Sequence, residues 1–148
     1  MTGQSGNEIS STSTEREAGT PAKRVLVVED NLMNMELFEA ILSIHGYEVC
    51  CMYNAEEALQ IIKTLKPDVV LLDIALPGLD GLSALRLLRA DAETRDLPII
   101  IVSAHSLLTD ERAAREAGCS EYLTKPISSE HLLAAVKHFA NLSETTQL

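Results

Sequence analysis

A chain of 148 residues with 46% hydrophobic and 23% charged side chains has room for one domain with a proper core, and this composition excludes wholesale disorder and fibrous classes. Its 22 acidic against 12 basic residues, a formal net charge of −10, argue against a phosphate backbone or an anionic lipid surface as the main partner, so no direct nucleic-acid binding is expected. No apolar run approaches a membrane span and the N-terminus lacks the charged and apolar regions of a signal peptide, which gives a cytoplasmic expectation with no membrane role.

Residues 1–22 are rich in Ser, Thr, Gly and Glu with almost no large apolar side chains, too little to offset ordering, and read as a disordered tail. A first strand, Arg24–Glu29, is an apolar run that ends in the acids Glu29 and Asp30. The stripe Leu37, Ile41, Ile44 predicts a first helix packed by that face on the sheet and stopping near Gly46. Tyr47–Met52 alternates Tyr47, Val49 and Cys51 with Glu48, Cys50 and Met52, the pattern of an edge strand. A second helix follows from Ala55, Leu59 and Ile62. Asp68–Leu72 is a buried strand that delivers Asp73 to the turn Ile74-Ala75-Leu76-Pro77-Gly78-Leu79-Asp80-Gly81.

A helix over Leu82–Ala90, a strand over Pro98–Ser103 and a helix from about Leu107 to Ala117, stopped by Gly118, come next. The strand Glu121–Thr124 runs into Lys125-Pro126, and the stripe Leu132, Val136, Phe139 predicts the last helix. The folded domain is thus expected over 23–141, with a polar tail over 142–148. Cys50, Cys51 and Cys119 lack ligand spacing and read as small buried side chains in a reducing compartment.

Strands alternating with helices of this length imply right-handed βαβ crossovers and a three-layer (βα)5 α/β fold on a parallel sheet. In such a sheet ligands bind beyond the carboxyl ends of the strands, and Glu29, Asp30, Asp73, Ser103 and Lys125 all fall at those ends. Three carboxylates brought together repel, and a hard divalent cation with oxygen ligands relieves the repulsion; Mg2+ is the natural guest. Such a cradle supports phosphoryl transfer, with an Asp carboxylate able to act as nucleophile and become an aspartyl phosphate. Lys125 would supply a compact positive charge to the phosphoryl group and Ser103 a hydroxyl donor. A cis Lys125–Pro126 bond would help to aim that lysine. Taken singly, Asp30 is a good helix N-cap, Asp80-Gly81 a good turn, and Ser103 or Lys125 an ordinary surface residue. Their order at four strand ends favours the functional reading.

Through Val-Val-Glu29-Asp30-Asn31, Leu-Leu-Asp73-Ile-Ala-Leu-Pro77-Gly78-Leu-Asp80-Gly81, Val-Ser103-Ala104 and Lys125-Pro126, the chain resembles the receiver domain of bacterial two-component response regulators over about Lys23 to Ala140. The resemblance implies a flavodoxin-like, CheY-like doubly wound sheet of strand order 2-1-3-4-5. It also implies that Asp73 accepts a phosphoryl group from a histidine kinase or histidine phosphotransfer protein. Asp30, Asp73 and the backbone carbonyl of Ala75 would then bind Mg2+ directly, with Glu29 reaching it mostly through water. Ser103 and Lys125 would bind the phosphoryl group, and Tyr122 stands at the family's switch aromatic; without the family position it reads as a half-exposed strand residue. Ala75 and His105 occupy positions that in this family influence dephosphorylation rate, and His105 reads as a surface or partner-facing side chain.

A finer likeness, in Asp30-Asn31-Leu-Met-Asn34-Met-Glu-Leu-Phe38, is to stand-alone receivers. Output would then be contact with a downstream protein through the surface of the fourth helix, fifth strand and fifth helix, from a monomer or weak dimer. The chain is then not an enzyme beyond its own phosphorylation and dephosphorylation. A haloacid-dehalogenase-like phosphohydrolase is the rival enzyme, although that family places a second Asp two residues after the nucleophile, where Ala75 stands. Two non-enzymatic rivals are a receiver-like module that is never phosphorylated, which the complete set of site residues argues against, and a receiver fragment of a larger hybrid kinase or regulator.

Overall fold

The computed structural model describes residues 22–104 and 108–142. The expected tails lie, but for their innermost residues, outside the described residues, as does His105. Five strands, β1 (Arg24–Val28), β2 (Glu48–Met52), β3 (Val69–Asp73), β4 (Ile99–Ser103) and β5 (Glu121–Thr124), alternate with α1 (Leu32–Ile44), α2 (Ala55–Leu65), α3 (Gly81–Ala90), α4 (Leu108–Ala117) and α5 (Ser129–Ala140). All neighbouring strands pair parallel in the order β2-β1-β3-β4-β5, so the expected CheY-like, flavodoxin-like fold is the one observed.

β1, β3 and β4 are covered on both faces and are apolar at nearly every position; β2, as expected, is an edge. One layer of core joins Leu26, Val28, Val70, Leu72, Ile99 and Ile101 to Ala55, Ala58 and Ile62 of α2, Leu85 of α3 and Ala114 of α4. The other joins Val25, Val27, Val69, Leu71, Ile100 and Val102 to Met35, Phe38 and Leu42 of α1 and Leu132, Val136 and Ala140 of α5. Alternate residues of each strand thus serve opposite layers, as the pleat requires.

The first helix corrects the sequence expectation. Its buried stripe is Met35, Phe38 and Leu42, whereas Leu37 and Ile44 point to solvent, Ile44 at 74% exposure, and Ile41 is only half-buried. α1 carries apolar residues on two faces, and helical periodicity alone gives no means of choosing between them. The stripe of α2 holds at Ala55 and Ile62 with Leu59 half-buried; that of α5 holds at Leu132 and Val136, while Phe139 sits at the rim. The cysteines also depart from expectation, since all three are half-buried rather than enclosed.

Candidate functional site at the carboxyl edge of the sheet

The register of the ladder brings the expected residues to one edge. Val28 pairs with Leu72, so Glu29, one step beyond β1, stands level with Asp73, the last residue of β3. Asp73 pairs with Val102 and Ser103 with Thr124, which sets Ser103 at the end of β4 and Lys125 one step beyond β5. Backbone bonds carry the ladder past the strand ends: Glu29 N–H donates to Met52 O at 3.1 Å, Ile74 N–H to Val102 O at 3.0 Å, and Lys125 N–H to Ser103 O at 2.7 Å. The side chains therefore leave from fixed backbone. β1 and β3 are the pair between which the strand order reverses, the usual place for a ligand in an open α/β sheet.

Glu29 is 1% exposed and Asp73 5%, while Asp30 lies open at the mouth, and each offers a carboxylate oxygen within 4.8 Å of the other two. Lys125 Nζ donates to Asp73 Oδ2 at 3.1 Å and forms an ion pair with Glu29 Oε1 at 3.0 Å. Burial pushes the Glu29 carboxyl above its ordinary value, and the Asp73 charge adds to this against the pull of Lys125. Burial pulls the Lys125 ammonium down, but Glu29 and Asp73 outweigh it and the net displacement is upward. The second oxygens are held as well. Asp73 Oδ1 accepts from Ala75 N–H at 3.0 Å, and Glu29 Oε2 accepts from Asn31 N–H at 3.2 Å and, more weakly, from the Asn34 amide at 3.5 Å.

Glu29, Asp30, Asp73 and Lys125 thus meet, with Ser103 fully buried on the adjacent strand and Ala75 exposed at the start of the loop. The donor set is oxygen alone, and its uncancelled negative charge suits a hard dication such as Mg2+ rather than a thiolate or imidazole metal. Tyr122 is buried in the core layer that contains Ile101 and Ala114, not half-exposed. Asn31, not Asp30, caps α1, its Oδ1 accepting from Asn34 N–H at 2.9 Å, which leaves the Asp30 carboxylate at the mouth. Asp80 caps α3 in the same way through Ser83 N–H. The Lys125–Pro126 bond is cis.

Asn34, named in the sequence only as part of a family likeness, was given no role at the site; the run Asp-Asn-x-x-Asn across a helix start was the available sign of its contact with Glu29. Gly81 has a role beyond a turn. A Cβ there would stand 2.2 Å from the carbonyl oxygen of Asp73, so α3 can begin against the acid's own backbone only with glycine. The thiol of Cys51, within β2, is pushed up to about 11 by burial and then by Glu39 and Cys50, which makes it a poor thiolate.

Comparison with known proteins agrees with this geometry. The family model described as the response regulator receiver domain matches residues 25–137. The polar-differentiation response regulator DivK of Brucella anthropi is 38% identical over 117 residues, covering 79% of this chain and 95% of that protein. Among solved structures, the receiver domain of the sensor histidine kinase PA1611 from Pseudomonas aeruginosa, with a magnesium ion coordinated in its active site cleft, is 33% identical with a TM-score of 0.76, covering 82% of this chain and 99% of that one. The chemotaxis protein CheY4 of Vibrio cholerae, 23% identical with a TM-score of 0.76 over 80% of this chain and 99% of its own, shares the fold. These relatives do not favour the haloacid-dehalogenase reading, and the chain belongs to the response regulator receiver domain family of two-component phosphorelay signalling.

Proposed function

We propose that Asp73 is the phosphoacceptor and that the protein works as a single-domain receiver whose phosphorylation, in the presence of Mg2+, alters its contacts with a downstream protein. The observation that carries this is the pairing of a buried strand-end carboxylate with the Lys125 ammonium at 3.1 Å, inside an otherwise acidic cluster. An Asp73 oxygen attacks the phosphorus of a phosphohistidine; the new O–P bond forms as the N–P bond breaks, and the electron pair leaves on the imidazole nitrogen. Lys125 neutralises the charge brought beside the nucleophile, Ser103 offers its hydroxyl to the phosphoryl oxygens, and the Ala75 N–H holds the carboxylate in place.

Asp30, Asp73 and the Ala75 carbonyl would hold Mg2+, with Glu29 mostly through water; the ion, when bound, screens the charge of acid and incoming phosphoryl. The magnesium in the receiver of PA1611 supports this assignment. Phosphoryl gain and loss are then catalysed by the receiver's own residues, in the cytoplasm, by a monomer or weak dimer. Ser103 and Tyr122 relay occupancy to the face of α4, β5 and α5.

The donor is a histidine kinase or phosphotransfer protein, and it rests on the outer face of α1. Met33 and Leu37 are exposed on that face, Met33 only three residues after Asp30, and offer an apolar seat to a protein that reaches Asp73 from the mouth. Glu36 and Glu39 on the same helix call for a donor with a basic rim. The likeness to DivK supports the single-domain reading over a fragment of a hybrid kinase.

Labelling with acetyl phosphate and Mg2+, followed by intact mass, tests the acceptor. The wild-type chain takes one label and Asp73→Asn takes none; label retained by Asp73→Asn moves the nucleophile elsewhere. Steady turnover of a phosphomonoester by the wild-type chain would instead favour a phosphohydrolase.

A further inference from the structure

We infer that Glu56, on the first turn of α2, is a positioning residue for the phosphorylation site, holding the tip of the loop that leads away from Asp73. This deepens the reading of Asp73 as acceptor and rests on it. The loop from Ile74 to Asp80 is anchored at its two ends by its own chain. Ile74 N–H donates to Val102 O at 3.0 Å, and Gly81 N–H returns to Ile74 O at 3.1 Å. Between them, buried Leu76 packs into the core layer, whereas Pro77 and Gly78 lie exposed.

Two observations put Glu56 over this tip. Its Oε2 accepts from Leu79 N–H at 3.0 Å, a charge-assisted bond between residues 23 apart in sequence. The same oxygen would stand 2.9 Å from a Cβ built on Gly78, whose φ is +71°. The carboxylate thus lies against bare backbone at a position whose left-handed dihedral favours glycine. The first turn of a helix favours a carboxylate, so Glu56 is held from behind as well.

The loop carries Ala75, whose N–H orients Asp73 Oδ1, and leads into Gly81, whose backbone touches that of Asp73. Tightening its tip narrows the positions open to both. Without Glu56 the site keeps every group named above but holds them on a looser frame, and metal affinity and the rate of phosphoryl gain fall together.

The test compares Glu56→Ala, Glu56→Gln and Glu57→Ala in the full chain. The last variant removes the same charge from the same helical turn and controls for the helix dipole, and thermal melts confirm that all three fold. In metal-free protein, Leu79 amide exchange followed by NMR should quicken roughly fivefold or more in Glu56→Ala, as expected when a local bond is lost, and stay near wild type in Glu56→Gln, whose amide oxygen still accepts. Calorimetric Mg2+ affinity should fall about three- to tenfold in Glu56→Ala, less than when a partner bonded directly to a metal ligand is removed. Glu56→Gln should restore most of it and Glu57→Ala leave it unchanged. Wild-type behaviour of Glu56→Ala in both measurements, an equal loss in Glu57→Ala, or a Glu56→Gln as impaired as Glu56→Ala would each overturn the assignment. A wild-type chain that takes no label from acetyl phosphate would overturn the acceptor reading instead, while the exchange and calorimetric arms, which need no phosphodonor, still decide the part played by Glu56.

Discussion

At the scale of single residues, Lys125 has the most to balance. Its ammonium touches two nearly enclosed carboxylates, 3.0 Å from Glu29 and 3.1 Å from Asp73, and its own side chain is 17% exposed. Removing one partner of a buried ion pair leaves the other charge desolvated and uncompensated, which costs more than the pair itself contributes. Lys125→Ala should therefore lower the stability of the metal-free protein by about 3 kcal/mol, the lower end of the range for breaking a buried pair because the lysine reaches the rim. Saturating Mg2+ should restore part of the loss by supplying positive charge to the same acids. Urea denaturation with and without Mg2+ measures both. A loss that is the same in the two conditions would mean that lysine and metal do not share these carboxylates. Labelling by acetyl phosphate should slow sharply in this variant even where Mg2+ has recovered the fold, since the charge beside Asp73, the proposed acceptor, is absent.

At the scale of elements, α1 separates what a sequence states from what it leaves open. Its inner stripe of Met35, Phe38 and Leu42 is buried and its outer residues Met33 and Ile44 stand 78% and 74% exposed. Leu42→Ala should cost about 2–5 kcal/mol through lost burial and a residual cavity. Ile44→Ala should stay within about 0.5 kcal/mol, as surface changes do. Urea midpoints at unchanged slope would show both, and equal costs would restore the face expected from Leu37, Ile41 and Ile44. The helix was legible because its period is helical; its facing was not, because a helix apolar on two sides satisfies the same period either way. The strands were legible to within a residue, since apolar runs bounded by Gly, Pro and acids leave little choice. So was the convergence of Glu29, Asp30, Asp73, Ser103 and Lys125, because parallel strands alternating with helices end on one side of the sheet. Asn34 and Glu56 were not legible. The first depends on which residue caps α1, and the second on a contact across 23 residues that no local pattern encodes.

At the scale of the molecule, the chain concentrates charge where the fold has least solvent to screen it. Three carboxylates against one ammonium leave two negative charges at the carboxyl edge, within a protein of net charge −10. A divalent cation cancels that remainder, so the folded state should bind Mg2+ more tightly than the unfolded chain and be stabilised by it. At free Mg2+ a hundredfold above the dissociation constant, mass action adds about 2.7 kcal/mol. With roughly 4 °C of melting temperature per kcal/mol for a domain of this size, Mg2+ should raise the Tm by about 10 °C over protein in EDTA. Asp30→Asn separates site binding from general screening. Asp30 is exposed and outside the contacts that Lys125 makes, so its neutralisation removes repulsion without orphaning a partner. The metal-free Tm of Asp30→Asn should match or exceed that of the wild type, while most of the Mg2+ increment disappears. Calorimetric melts of both proteins in EDTA, in Mg2+, and in NaCl of matched ionic strength make the comparison. If the increment survives in Asp30→Asn, or NaCl reproduces it in the wild type, the stabilisation is diffuse counterion screening by a strongly acidic protein. If it vanishes in the variant alone, repulsion among the three acids is the strain the fold retains in order to bind its metal.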